Sequence, residues 1–100
     1  MSMLPLDQYV VDVLMPDLIG HDKSPAAFVI YLYLWRMASS RGKVQASYTT
    51  MAVDTGLSKA SAQRAVGLLK RRKLITMTKT SPTSVPEYRV ARPWLGRMPG

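Results

Sequence analysis

The sequence predicts a mainly α chain with a small β-hairpin, an α+β fold with a three-helix core and an N-terminal helical extension. Three observations predict it. Serines stand directly before three helix-patterned runs, at Ser24, Ser47 and Ser58, where a hydroxyl can cap free backbone N–H groups. At Leu74 the helical period gives way to β-rich residues, interrupted by a Ser/Pro-rich stretch. A length of 100 residues supports one hydrophobic core and not two.

The elements follow in order. Leu6, Val10, Leu14 and Leu18 recur every four residues, so a helix is expected over about 6–14, with Pro16 breaking it. Gly20-His21-Asp22-Lys23 reads as a loop. Ser24-Pro25 opens the first core helix, because proline is pre-set for the first helical position. This helix runs to about 39, where Ser39, Ser40 and Gly42 end it. Its AAFVIYLYLW run is apolar on every face and must be covered all round. One side can pack on the domain; the other needs the N-terminal segment or a second subunit. Tyr31, Tyr33 and Trp35 within it read as core or dimer-interface residues, with an effector pocket as the alternative.

Lys43 to Ala46 reads as one short strand. Ser47 caps a second helix over 48–55, closed by Gly56, and Ser58 caps a third over 59–72. Residues 74–80 and 87–90 are expected to form a hairpin joined by 81–86. The last ten residues hold two prolines and two glycines and read as a tail, from which Trp94 can tuck back. The chain therefore divides into an extension at 1–23, a folded unit at 24–92 and a tail at 93–100.

Charge is unevenly placed. The net charge is +8 and the pI about 10.2. Residues 1–50 balance Lys23, Arg36, Arg41 and Lys43 against Asp7, Asp12, Asp17 and Asp22, whereas the second half sets ten cations against Asp54 and Glu87. A lopsided basic domain meets a polyanion more often than not. Several chemistries are excluded or disfavoured. The chain has no cysteine and one histidine, His21, so thiol catalysis and multi-histidine metal sites are out. The four aspartates recur every five residues; on an α-helix that step rotates them off a common face, so no metal cluster is expected. There is no glycine-rich phosphate loop. The expectation is no metal, no cofactor and no enzyme. The start MSMLPLDQYV lacks a basic leader region, and the longest apolar run, Ala26 to Trp35, is half a membrane span. A cytoplasmic location without a membrane partner follows as an expectation.

The informative segment is Ser47 to Ile75, SYTTMAVDTGLSKASAQRAVGLLKRRKLI. Met51 and Ala52 face inward on the short helix, Gly56 permits a sharp turn, and Leu57 plugs the angle. Ala62, Ala65, Val66 and Leu69 form one clean apolar face on the next helix. Small residues at 52 and 62 let the two helices cross closely, which is the physical recipe for a helix-turn-helix. The opposite face centres on Ala60, Arg64, Gly67 and Arg71, flanked by Ser61, Gln63 and Lys70. A helix fits the DNA major groove, where arginine can pair with guanine and glutamine with adenine. Gly67 costs about 1 kcal/mol of helix propensity relative to alanine; close approach to a duplex or a tight internal contact would each justify it. Lys70-Arg71-Arg72-Lys73 has three readings: partners for the helix dipole, a phosphate clamp, or a localisation-like basic cluster. Phosphate contact is favoured for at least two of the four. Lys79 and Arg89 either reach phosphates or are plain strand residues. Thr76, Thr78 and Thr80 read as a solvent-facing stripe.

The segment resembles the winged helix-turn-helix of bacterial transcription regulators. The resemblance covers about 25–90: TGLSKASAQRAVGLLKRRKLI would span the turn, the recognition helix and the first wing strand, the hairpin at 74–90 would be the wing, and 25–39 the first helix. It implies base reading by Lys59, Ala60, Ser61, Gln63 and Arg64, and phosphate contact by Ser58, Lys70, Arg71, Arg72, Lys79 and Arg89. One departure is Lys73, where many relatives carry glycine before the wing. The leading expectation is a sequence-specific binder of double-stranded DNA, a small transcription regulator acting as a homodimer. The alternatives are a plasmid or phage replication or partition factor, and a winged-helix protein–protein module.

Overall fold

The computed structural model describes residues 3–97. Its centre is α1 (Pro25–Ala38), followed by β1 (Val44–Gln45), α2 (Tyr48–Thr55), α3 (Lys59–Arg71), β2 (Ile75–Thr78) and β3 (Glu87–Val90). A short 3-10 turn, Pro93–Arg97, ends the described chain. Residues 98–100 of the expected tail and 1–2 of the extension lie outside the described residues.

The three serine caps stand where the sequence places them. Ser24, Ser47 and Ser58 each accept the backbone N–H three residues on, from Ala27, Thr50 and Ser61, at 3.0–3.1 Å. Each such cap contributes about 1 kcal/mol. Gly56 ends α2 in the left-handed conformation, φ +82°, with its N–H on the Ala52 carbonyl. A side chain would be strained there, so the turn between α2 and α3 depends on this glycine.

The extension differs from expectation. It is helical from 8 to 21 and does not break at Pro16. Most of it is π-wound, over Val10–Leu14 and Asp17–His21, so each N–H bonds a carbonyl five residues back. Pro16 adopts φ −65° and ψ −30°, the φ its ring enforces, and its missing N–H falls between the two π-wound stretches. Gly20 and His21 belong to this helix rather than to a loop. The chain leaves it at Lys23, φ +56°, with the Ser24 N–H on the Leu18 carbonyl at 2.8 Å.

Val10, Leu14 and Leu18 are buried, and only Leu6 of the four-residue series stays exposed. The buried three join Ile30, Tyr31 and Leu34 of α1 in the same core as Ala62, Val66 and Leu69 of α3. The N-terminal segment thus supplies cover for α1 within one chain, and Trp94 joins the same core.

The sheet has three antiparallel strands in the order β1-β3-β2. Met77 pairs with Tyr88 and Tyr88 with Val44, so β1 fastens the α1–α2 connection to the hairpin. The hairpin loop runs over 79–86, starting earlier than the expected 81–86. Thr76 and Thr78 face solvent. Beside them Tyr88 is fully buried, and its hydroxyl is the one buried side-chain polar atom without a hydrogen-bond partner among the described residues. Burial pushes that phenol well up, and Tyr48 adds to the shift.

Candidate nucleic-acid interface

α3 is sharply two-sided. Ala62, Ala65, Val66 and Leu69 are buried, while Lys59, Ala60, Gln63, Arg64, Lys70 and Arg71 are exposed. The period of 3.6 residues puts each set on its own face. Met51, fully buried on α2, and the half-buried Leu57 hold α3 against the rest. α2 is tied to α1 by the Tyr33 hydroxyl, which donates to Asp54 at 2.7 Å. Burial, and then that bond and charge, push the Tyr33 phenol up to about 12.

Of the base-reading candidates, Lys59, Ala60, Gln63 and Arg64 share the exposed face, and Ser61 is half-buried at its edge. Arg64 extends to within 3.5 Å of the Ser61 hydroxyl, a long contact that leaves its guanidinium available. Ser58 is exposed, with its side-chain oxygen engaged as the α3 cap. Gly67 lies half-buried on the same helix. No internal packing requires it: a Cβ there would meet only Arg71 Nη1, at 3.5 Å.

The phosphate candidates divide. Lys70 and Arg71 stand exposed at the end of α3, and Lys79 and Arg89 are exposed on the hairpin. Arg89 also pairs with Glu87 at 3.5 Å, and Glu87 receives Lys43 at 3.6 Å. The hairpin loop is closed by Ser84, whose hydroxyl accepts the Thr80 and Ser81 N–H groups and donates to the Ser81 carbonyl.

Arg72 sits differently. Its guanidinium is held between the carboxylates of Asp17 and Asp22 on the extension. The Asp17 bond, opposed by desolvation and reinforced by both charges, raises its already high pKa. The five-residue step between those aspartates explains why sequence reasoning missed the contact. On an α-helix it separates two side chains, but π winding closes its turns five residues apart, and Asp17 and Asp22 converge. Next to it, Lys73 occupies the left-handed position, φ +59°. Its N–H bonds the Lys70 carbonyl and the Leu74 N–H bonds Leu69. These are the two bonds of a Schellman C-cap, formed here with a lysine in the usual glycine place.

A second group joins the chain's two ends. Arg92 donates to both oxygens of Asp7, at 2.8 and 2.6 Å, and the Trp94 indole donates to the same carboxylate at 2.9 Å. The Arg92 hydrogen bond, with Trp94 aiding against desolvation, holds the Asp7 carboxyl below its usual range. Trp94 stacks on Tyr9 with ring centroids 4.6 Å apart. The Trp35 indole donates to the Pro5 carbonyl at 3.0 Å, and Arg92 lies over its ring. Tyr31 is buried and donates to the Ala91 carbonyl at 2.9 Å. Tyr31 and Tyr33 therefore serve packing and tethering, while Trp35 borders an open cleft of about 350 Å³ with Pro5 and Arg92.

A family model described as a helix-turn-helix domain matches residues 21–75, from the end of the extension through α1, α2 and α3 to the first residue of β2. No curated protein and no solved structure matches the chain. Among the described residues, no helix is long and apolar enough to cross a membrane.

Proposed function

Because the chain belongs to the helix-turn-helix domain family, whose motif is a DNA-binding one, we propose that it reads double-stranded DNA sequence-specifically as a small bacterial transcription regulator. The observation that carries this reading is the outer face of α3. It presents Lys59, Gln63, Arg64, Lys70 and Arg71 to solvent with no large apolar residue among them. None of these cations is in an ion pair among the described residues.

In this reading α3 enters the major groove. Gln63 and Arg64 pair with base edges, with Lys59, Ala60 and Ser61 beside them. Ser58, Lys70, Arg71, Lys79 and Arg89 contact phosphates. Arg72 joins them only by releasing Asp17 and Asp22. The working unit is 24–92, framed by the extension at 1–23 and the tail at 93–100. The protein acts as a homodimer, since one small reader specifies few base pairs and paired readers use half-sites about one helical turn apart. The cover of α1 does not argue for the dimer, because the extension provides it. A plasmid or phage replication or partition factor would use the same face, and no observation favours it.

Selection of binding sites from a random duplex library at fixed, near-physiological salt tests the proposal. A two-fold symmetric motif is expected. A single asymmetric motif would keep the reader and remove the dimer. Weak, salt-sensitive binding with no enriched sequence would overturn sequence-specific reading.

A further inference from the structure

Gly67 stands in the interior of α3, where glycine is the poorest helix former after proline. A glycine is kept in such a place when the backbone needs a left-handed turn or when something approaches too closely for a side chain. The first reason fails. The described glycines with positive φ are Gly42 and Gly56, and Gly67 is not among them. The second fails inside the chain, since an added Cβ would meet only the tip of Arg71 at an ordinary 3.5 Å. The fold gives no reason for a glycine here.

Its position does. Gly67 follows Arg64 by three residues and precedes Arg71 by four, spacings that place all three on one helical face. The major groove is about 12 Å wide, and a helix with its side chains is about 10–12 Å across, so a seated helix has little clearance. We propose that Gly67 is the point where the α3 backbone comes closest to the duplex. The missing side chain lets the helix sit deep enough for Arg64 to reach base edges and Arg71 the phosphates. This rests on the DNA-binding reading above and adds a specific contact to it.

The test compares wild type, Gly67→Ala and Gly67→Leu on the duplex site selected for the wild type, with thermal unfolding measured on the same preparations. Gly67→Ala should raise Tm by roughly 4 °C, from helix propensity alone, and weaken binding at least tenfold, with Gly67→Leu weaker still. Measured against Arg71→Ala alone, adding Gly67→Ala should still weaken binding, because Arg64 loses its reach as well. A loss that vanishes on that background acts through the Arg71 side chain and overturns the proposal. So does a Gly67→Ala chain that binds as tightly as wild type, or one whose Tm falls. A wild type that binds no duplex at all overturns the underlying reading, a result distinct from these.

Discussion

Two helices of this chain show solvent opposite kinds of face. α3 holds its apolar residues inside and keeps Lys59, Arg64, Lys70 and Arg71 exposed, free of ion pairs among the described residues. The N-terminal helix and its lead-in do the reverse. Asp7 is held by Arg92, and Asp17 and Asp22 by Arg72, while Val11, Val13, Met15 and Ile19 are partly exposed. Asp12 apart, the carboxylates of the extension are engaged within the fold, whereas the cations of α3 are left outward. The contrast separates charges that assemble the molecule from charges that remain for a partner, which net charge alone does not do.

The largest expected effect breaks the extension. Leu18 is fully buried beneath α1, and Leu18→Ala should cost about 2–5 kcal/mol through lost burial and a cavity, read as a lower denaturant midpoint. A loss below 0.5 kcal/mol would mean the extension is not part of the cooperative core. On α3 the expectation is opposite: Arg64→Ala should leave the midpoint nearly unchanged and lose about 1–3 kcal/mol of discrimination at one base position. Equal affinity of variant and wild type for all sites would remove Arg64 from base reading.

A sharper comparison lies within one basic run. Lys70→Ala should reduce the slope of log affinity against log salt by about 0.9, one phosphate contact's worth, with stability unaffected. Arg72→Ala should leave that slope alone and lower stability by about 1 kcal/mol, modest because the pair is partly exposed. Interchanged results would place Arg72 on the DNA and Lys70 in the fold. The smallest effect is acidic. Asp7 has a depressed folded pKa against an ordinary 3.8. Its contribution is therefore complete above about pH 4 and is lost as pH falls through the lower folded value. Both tryptophans lie at this junction, so their fluorescence should show a step below pH 4 that Asp7→Asn lacks.

Much of this architecture was legible in local chemistry. The caps at Ser24, Ser47 and Ser58, the glycine turn at 56 and the apolar stripe of α3 need only neighbouring residues to specify them, and those helices stand within a residue of expectation. The exposure of Lys59, Ala60, Gln63 and Arg64, the side chains proposed to read bases, follows from the same period. What failed depended on distant partners or on an unusual period. The π winding carries the chain past Pro16 and brings Asp17 to Asp22. The short strand at β1 stands within the expected Lys43–Ala46, but its pairing with β3, more than 40 residues on, could not be read from its own residues. The ion pair of Arg72 was hidden because the aspartates that hold it lie 50 and 55 residues away.

The junction of Asp7 with Arg92 and Trp94 joins residues 85 and 87 apart. Closing so long a loop is entropically unfavourable until the intervening chain is already ordered. α2 and α3 are consecutive in the chain and pack on each other, so contacts of such short separation can organise first, leaving this junction to form late. Interactions absent from the folding transition state act on the rate of unfolding. The clasp between the two ends therefore governs how long the assembled protein persists rather than how quickly it assembles, and Asp7→Asn should accelerate unfolding while leaving the refolding rate nearly constant.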